Sequence, residues 1–139
     1  MIFYIGNSID EIDEQDVNVE FSDELIDFIY KMSRRVSFDM SKLYEIDPYD
    51  DVEVSKNDLF QIVEICNYIL DKSLLQSYEE PDEGREMVQD LLEIIQKAMT
   101  RDMGLVSIGD WWVASCNKFV TIFLMISERP CYSGIYQGV

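Results

Sequence analysis

Histidine does not occur in this chain of 139 residues. Its absence removes Ser-His-Asp and Cys-His catalysis, imidazole general bases and every histidine-containing metal site. Positive charge is scarce: 11 Lys and Arg stand against 28 Asp and Glu, giving a net charge of −17 and a pI near 4.1. That imbalance argues against direct binding to DNA or RNA, because such affinity comes mainly from cations that displace counterions from phosphates. Cysteine is limited to Cys66, Cys116 and Cys131, which cannot all pair within one chain and show no C-x-x-C spacing. We therefore expect a reducing compartment, with Cys66 a small core residue inside an apolar helical pattern. Long hydrophobic runs are also missing. The longest, Phe119 to Ile126 with Thr121 inside it, falls far short of the ~20 residues a membrane helix needs. The opening Met1-Ile2-Phe3-Tyr4-Ile5-Gly6 has no basic flank and too short an apolar stretch for a secretory signal. A soluble cytoplasmic protein is the expectation.

What is present is a foldable chain. Hydrophobic residues make up 47% and aromatics 12%, with a mean hydropathy of −0.09; a chain repelled into disorder carries far fewer apolar side chains. The length fits one domain that buries roughly two-thirds of its unfolded surface. Ile2 to Ile5 reads as a strand closed by a Gly6-Asn7 turn, and residues 8–20 as an acidic surface loop. A first helix starts after Ser22 as N-cap, with Phe21 and Ile26 as a hydrophobic staple and an apolar repeat at Leu25, Ile29, Met32 and Val36. Leu43 to Ile46 reads as a short strand or extended segment, and Asp47-Pro48 forces a turn. Ser55 opens a second helix whose stripe is Leu59, Ile62, Val63, Cys66, Ile69 and Leu70. Residues 76–82 read as a linker. A third helix spans about Glu83 to Arg101, with Gly104 as its left-handed cap. Its seam, Met87, Leu91, Ile94 and Ala98 beside Val88, Leu92, Ile95 and Met99, is wide enough for two packing neighbours. Leu105 to Ile108, Trp111 to Ala114 and Lys118 to Ile126 are β-prone and would join Ile2–Ile5 in a sheet, with a helix over Asn117 to Glu128 as the competing reading. The fold class expected is α+β, mainly helical, with about three helices against a small, mostly antiparallel sheet in a single domain.

Negative charge is clustered. Asp10, Glu11, Asp13, Glu14, Asp16, Glu20, Asp23, Glu24 and Asp27 occur with no intervening Lys or Arg. A second cluster is Glu45, Asp47, Asp50, Asp51 and Glu53, and a third is Glu79, Glu80, Asp82, Glu83 and Glu86, relieved by Arg85. Such runs serve either as solvated faces and helix starts or as fields that steer a basic partner. Carboxylates also bind calcium, but Asp47-Pro48-Tyr49-Asp50-Asp51-Val52 lacks both the spacing and the glycine of an EF-hand loop, as does Asp13 to Glu20. No P-loop, dinucleotide fingerprint or G-x-S-x-G is present, and no particular carboxylate pair stands out for glycoside hydrolysis. The sequence points to neither a cofactor, nor a metal, nor an enzyme. Among the aromatics, Tyr44, Tyr49, Trp111, Trp112, Tyr132 and Tyr136 fall in expected turns, strand ends or the tail, where Tyr and Trp anchor interfaces. One of Trp111 and Trp112 would instead point into the core.

The segment Leu43-Tyr44-Glu45-Ile46-Asp47-Pro48-Tyr49-Asp50-Asp51 resembles a pattern of some small bacterial immunity proteins, the cytoplasmic partners of contact-dependent or polymorphic toxins. There an L-x-x-I-D-P-Y-G-D turn precedes an amphipathic helix and a second long helix, then an apolar segment closing on Gly-Asp. Gly104-Leu105-Val106-Ser107-Ile108-Gly109-Asp110 takes that last place here, and Asp50 stands where glycine is usual. The resemblance covers about residues 43–110. It implies a protein that binds its own toxin domain and blocks it without catalysis, as a monomer in the complex. Many such toxins are nucleases with basic surfaces, against which an acidic inhibitor presents carboxylates in place of phosphates. The expected partner-facing residues are Tyr44, Asp47, Tyr49, Asp50, Asp51, Glu53 and Trp111. The competing readings are an acidic nucleic-acid mimic that inhibits another nuclease, and an adaptor domain whose acidic face binds a basic protein.

Overall fold

A computed structural model describes residues 1–109. The order along the chain is β1 (Ile2–Ile5), a 3-10 turn at Ile9–Glu11, β2 (Asn18–Glu20), α1 (Asp23–Ser33), α2 (Ser41–Tyr44), β3 (Val52–Val54), α3 (Lys56–Asp71), a second 3-10 turn at Leu74–Ser77, α4 (Pro81–Thr100) and β4 (Leu105–Ile108). The four strands form one antiparallel sheet in the order β2-β1-β4-β3. This is an α+β fold, mainly helical, as the sequence leads one to expect. Among the described residues no helix is long and apolar enough to cross a membrane.

The helices begin where their caps are written. Ser22 Oγ accepts from the Leu25 N–H at 3.2 Å and Ser55 Oγ from the Asp58 N–H at 3.3 Å, each satisfying a first-turn donor that would otherwise lack a partner. Phe21 and Ile26 are both buried, as a staple requires. The stripe of α3 is centred on Leu59, Ile62, Ile65, Cys66 and Ile69, all buried, with Val63 and Leu70 at its margins. α4 starts two residues earlier than the composition suggests, because Pro81 takes its first turn, where a missing N–H costs nothing. Its Val88, Leu91, Ile94, Ile95 and Ala98 are buried between α3 on one side and β1 and β2 on the other. One face of the sheet, with Phe3, Ile5, Val54 and Leu105, closes this core.

Four expectations are corrected. Leu43 lies in a helix rather than a strand: residues 41–44 form the single turn α2, which places Leu43 in the core while Ile46 follows in the bend. Residues 8–20 contain a 3-10 turn and an edge strand as well as loop. The linker over residues 76–82 begins inside a 3-10 turn and ends inside α4. The left-handed residue after α4 is Asp102, at φ 58°, and not Gly104. Gly104 is needed for a different reason, since a Cβ there would overlap the Val54 carbonyl oxygen. The strand-or-helix alternatives for the final segment, and Trp111, Trp112, Tyr132 and Tyr136, lie outside the described residues.

Candidate functional site: an acidic turn joined to an acidic loop

The turn between α2 and β3 holds its shape with its own carboxylates. Asp47 Oδ1 accepts from the Tyr49 N–H at 2.9 Å, and Asp50 Oδ1 accepts from the Asp51 N–H at 2.8 Å. These are the local side-chain-to-backbone bonds by which Asp builds turns. Asp51 Oδ1 accepts from the Gly109 N–H at 3.1 Å, tying the turn to the end of β4. Gly109 must be glycine for this, because a Cβ there would run into the backbone of Tyr49 and Asp50. Asp47, Tyr49, Asp50 and Glu53 stay exposed while Asp51 is half-buried. Five of the seven residues expected to face a partner are thus gathered between residues 47 and 53.

Tyr44 is placed differently. Its ring packs edge-on against Tyr30 of α1, with centroids 5.2 Å apart, and it is half-buried against the core. The outward member of that pair is Tyr30, 41% exposed, over which the Arg34 guanidinium sits at 5.0 Å while also donating to the Tyr30 hydroxyl at 3.0 Å. Tyr44 positions an exposed aromatic rather than being one. Trp111 lies outside the described residues.

The relationship that sequence reading misses is long-range. The Ile9 N–H donates to Glu53 Oε2 at 3.2 Å, so the β1–β2 connection reaches past β4 to the far strand of the sheet. Farther along the same loop, Asp16 bonds Arg101 at the end of α4, at 2.6 Å. The arginine beside it, and the Val17 N–H, hold the Asp16 carboxyl below its ordinary value of 3.8. Tyr4, in the sheet row that runs Asn18, Tyr4, Val106, Glu53, has its hydroxyl pushed upward by burial and then by the nearby charge of Glu14. The first and second acidic clusters are therefore joined, with Ile9 (40% exposed) and Tyr49 (54% exposed) as apolar groups within them.

The third cluster stands apart. Asp82 and Glu83 occupy the first turn of α4, where negative charge favours the helix, and Asp82 pairs with Arg85 at 2.8 Å. The 20 residues of α4 separate that end from Arg101 and its partner Asp16 by about 30 Å. Phe60, 61% exposed on α3, is a second aromatic that the sequence reading passed over. Its position immediately after the buried Leu59 places it off the apolar stripe, and this offset was visible in the helical spacing. Among the described residues no three carboxylates or cysteines converge on a point suited to a metal ion. Burial pushes the Cys66 thiol up to about 12, which leaves it a neutral core side chain.

A shallow groove of about 170 Å³ lies along the outer side of β3, lined by Ile46, Val52 and Glu53 and by Lys42, Glu45 and Asp58. Lys42 and Asp58 pair across it at 3.2 Å. No family model, curated protein or solved structure matches this chain.

Proposed function

We propose that this chain is an immunity protein that binds and neutralises a cognate bacterial toxin domain, a basic nuclease, in the cytoplasm. The observation that carries the reading is the Ile9–Glu53 hydrogen bond, which brings the acidic loop before β2 against the acidic turn before β3, with Ile9 and Tyr49 exposed beside them. A field of that kind accelerates encounter with a positively charged partner and disfavours wrong ones, while Ile9 and Tyr49 supply contact that water screening does not weaken. The resemblance of residues 43–51 to the immunity pattern agrees with where this surface lies. Inhibition by coverage needs no catalytic group, and the groove beside β3 is shallow and open.

The test is co-expression with the C-terminal domain encoded by the gene immediately upstream, scoring survival and co-purification. We expect survival together with a stable complex whose association slows steeply as salt is added. Continued killing with no complex overturns the immunity reading. Neutralising Asp47, Asp50 and Glu53 together, as Asn, Asn and Gln, is expected to lower the association rate by about tenfold or more at low salt. An unchanged rate with an unchanged salt dependence removes these residues from the interface.

A further inference from the structure

Alternation within the sheet determines which way the main chain of β3 points. In an antiparallel pair, successive residues turn their N–H and C=O groups to opposite sides. The Gly6 N–H donates to the Gly104 carbonyl and the Gly104 N–H to Asn7 Oδ1, both at 3.0 Å, so Gly104 faces β1. Two residues on, Val106 also faces β1, whereas Leu105 and Ser107 face β3. The Gly109 N–H, bonded to Asp51, keeps the same phase. In the register Val52–Ser107, Glu53–Val106 and Val54–Leu105, the valines therefore bond β4, and the N–H and C=O of Glu53 point out of the sheet. Among the described residues, no strand lies beyond β3.

We propose that this edge is a docking site for an extended, basic segment of the partner protein. The segment pairs its main chain with Glu53 and sets a Lys or Arg side chain in the adjoining groove. This inference rests on the reading of the chain as an inhibitor of a basic protein and adds how that protein is held. Strand addition uses main-chain bonds for affinity and flanking pockets for specificity. The groove supplies such a pocket: Ile46 and Val52 form apolar wall, while Glu45, Glu53 and Asp58 outnumber the single cation Lys42. An incoming cation displaces Lys42 from Asp58 and has Glu45 beside it, while Glu53 keeps its bond to the Ile9 N–H. A second copy of this chain is a poor occupant, because two surfaces of a molecule with net charge −17 repel one another.

The probe is a blocked pentapeptide of alternating valine and lysine, added to the isolated protein and followed by amide NMR. At about ten times its Kd, exchange of the Glu53 N–H slows about tenfold, and a fully N-methylated peptide of the same charge gives no such protection. Lys42→Gln tightens binding about threefold, and the pair Glu45→Gln and Asp58→Asn weakens it by a similar factor or more. Shifts spread over the acidic segments without protection of Glu53 overturn the proposal and leave counterion attraction only. A Glu53 N–H already protected in the free protein also overturns it: independence of protein concentration then identifies the chain's own residues as the cover, and dependence identifies a second copy. Absence of any binding overturns it as well. The peptide experiment involves no toxin, so its failure leaves the survival test standing. Failed rescue with a protected Glu53 N–H would assign the edge to a different basic protein.

Discussion

The N–H of Ile9 and the carboxylate of Glu53 meet at 3.2 Å although 44 residues separate them. The bond fixes the acidic loop against the sheet and does not need the negative charge, only an acceptor. We expect Glu53→Gln, which keeps an acceptor, to unfold within about 0.5 kcal/mol of the parent, and Glu53→Ala to lose about 1 kcal/mol. Urea unfolding of both variants checks this. Equal losses would mean that the loop does not depend on the bond.

Gly109 touches the turn that carries Asp47, Tyr49 and Asp50. A methyl group there collides with main chain, which cannot yield as a flexible side chain does. Gly109→Ala is expected to cost about 2–3 kcal/mol and to shift the amide resonances of residues 47–51. Gly6→Ala is the comparison. Its Cβ meets the Ile12 Cγ2 atom at 3.1 Å, a contact a side chain relieves, so its cost is smaller. A reversed order would contradict the packing described for the turn.

The Asp16–Arg101 pair gives the loop an acid limit. Arg101 first, and the Val17 N–H next, depress the Asp16 carboxyl from 3.8. A group whose folded value is depressed contributes stability that is complete above its ordinary range and is lost as pH falls through the folded value. Carboxyl NMR titration should find the Asp16 midpoint below that of an ordinary aspartate, and Arg101→Met should return it upward. Urea unfolding at about pH 6 and about pH 3 should show the parent losing more stability than the Arg101→Met variant on acidification. Identical losses would show that the pair does not contribute.

Cys66 is buried and its thiol is held up to about 12, so the reactive thiolate is almost absent at neutral pH. Peptide mapping after treatment with a maleimide at about pH 7.5 should find Cys66 unlabelled in the native protein and labelled once urea opens the core, at a rate set by unfolding. Rapid native labelling at this position would place Cys66 outside the core described here.

Much of this architecture is legible in local sequence. Ser22 and Ser55 mark helix starts because a cap is a contact between near neighbours, and the apolar stripes of α3 and α4 follow from spacing alone. The short strands are a different matter. Asn18-Val19-Glu20 and Val52-Glu53-Val54 are three residues each, too brief for an alternating pattern to register, and they are strands because β1 and β4 are there to pair with. Leu43 to Ile46 has a composition that suits either state; packing of Leu43 into the core decides for helix. The acidic turn was visible from Asp47-Pro48-Tyr49, but its connection to Ile9, to Gly109 and to the groove beside Lys42 is tertiary. Tyr44 illustrates the limit well, since nothing nearby in sequence shows that Tyr30 lies against its ring.

β1 begins at residue 2 and β4 ends at residue 108, yet they are neighbours in the centre of the sheet. During synthesis on the ribosome, β1 precedes β4 by about a hundred residues and waits for them before this partner emerges. The hairpin of β1 with β2 and the helices form from near neighbours; the β4 strand, the Gly109 tether of the acidic turn and the seating of β3 come last. A nascent chain short of Ile108 therefore displays plenty of negative charge but no assembled edge. The edge at Glu53 thus exists only once β4 has been made, although all of β3 is in place some fifty residues earlier.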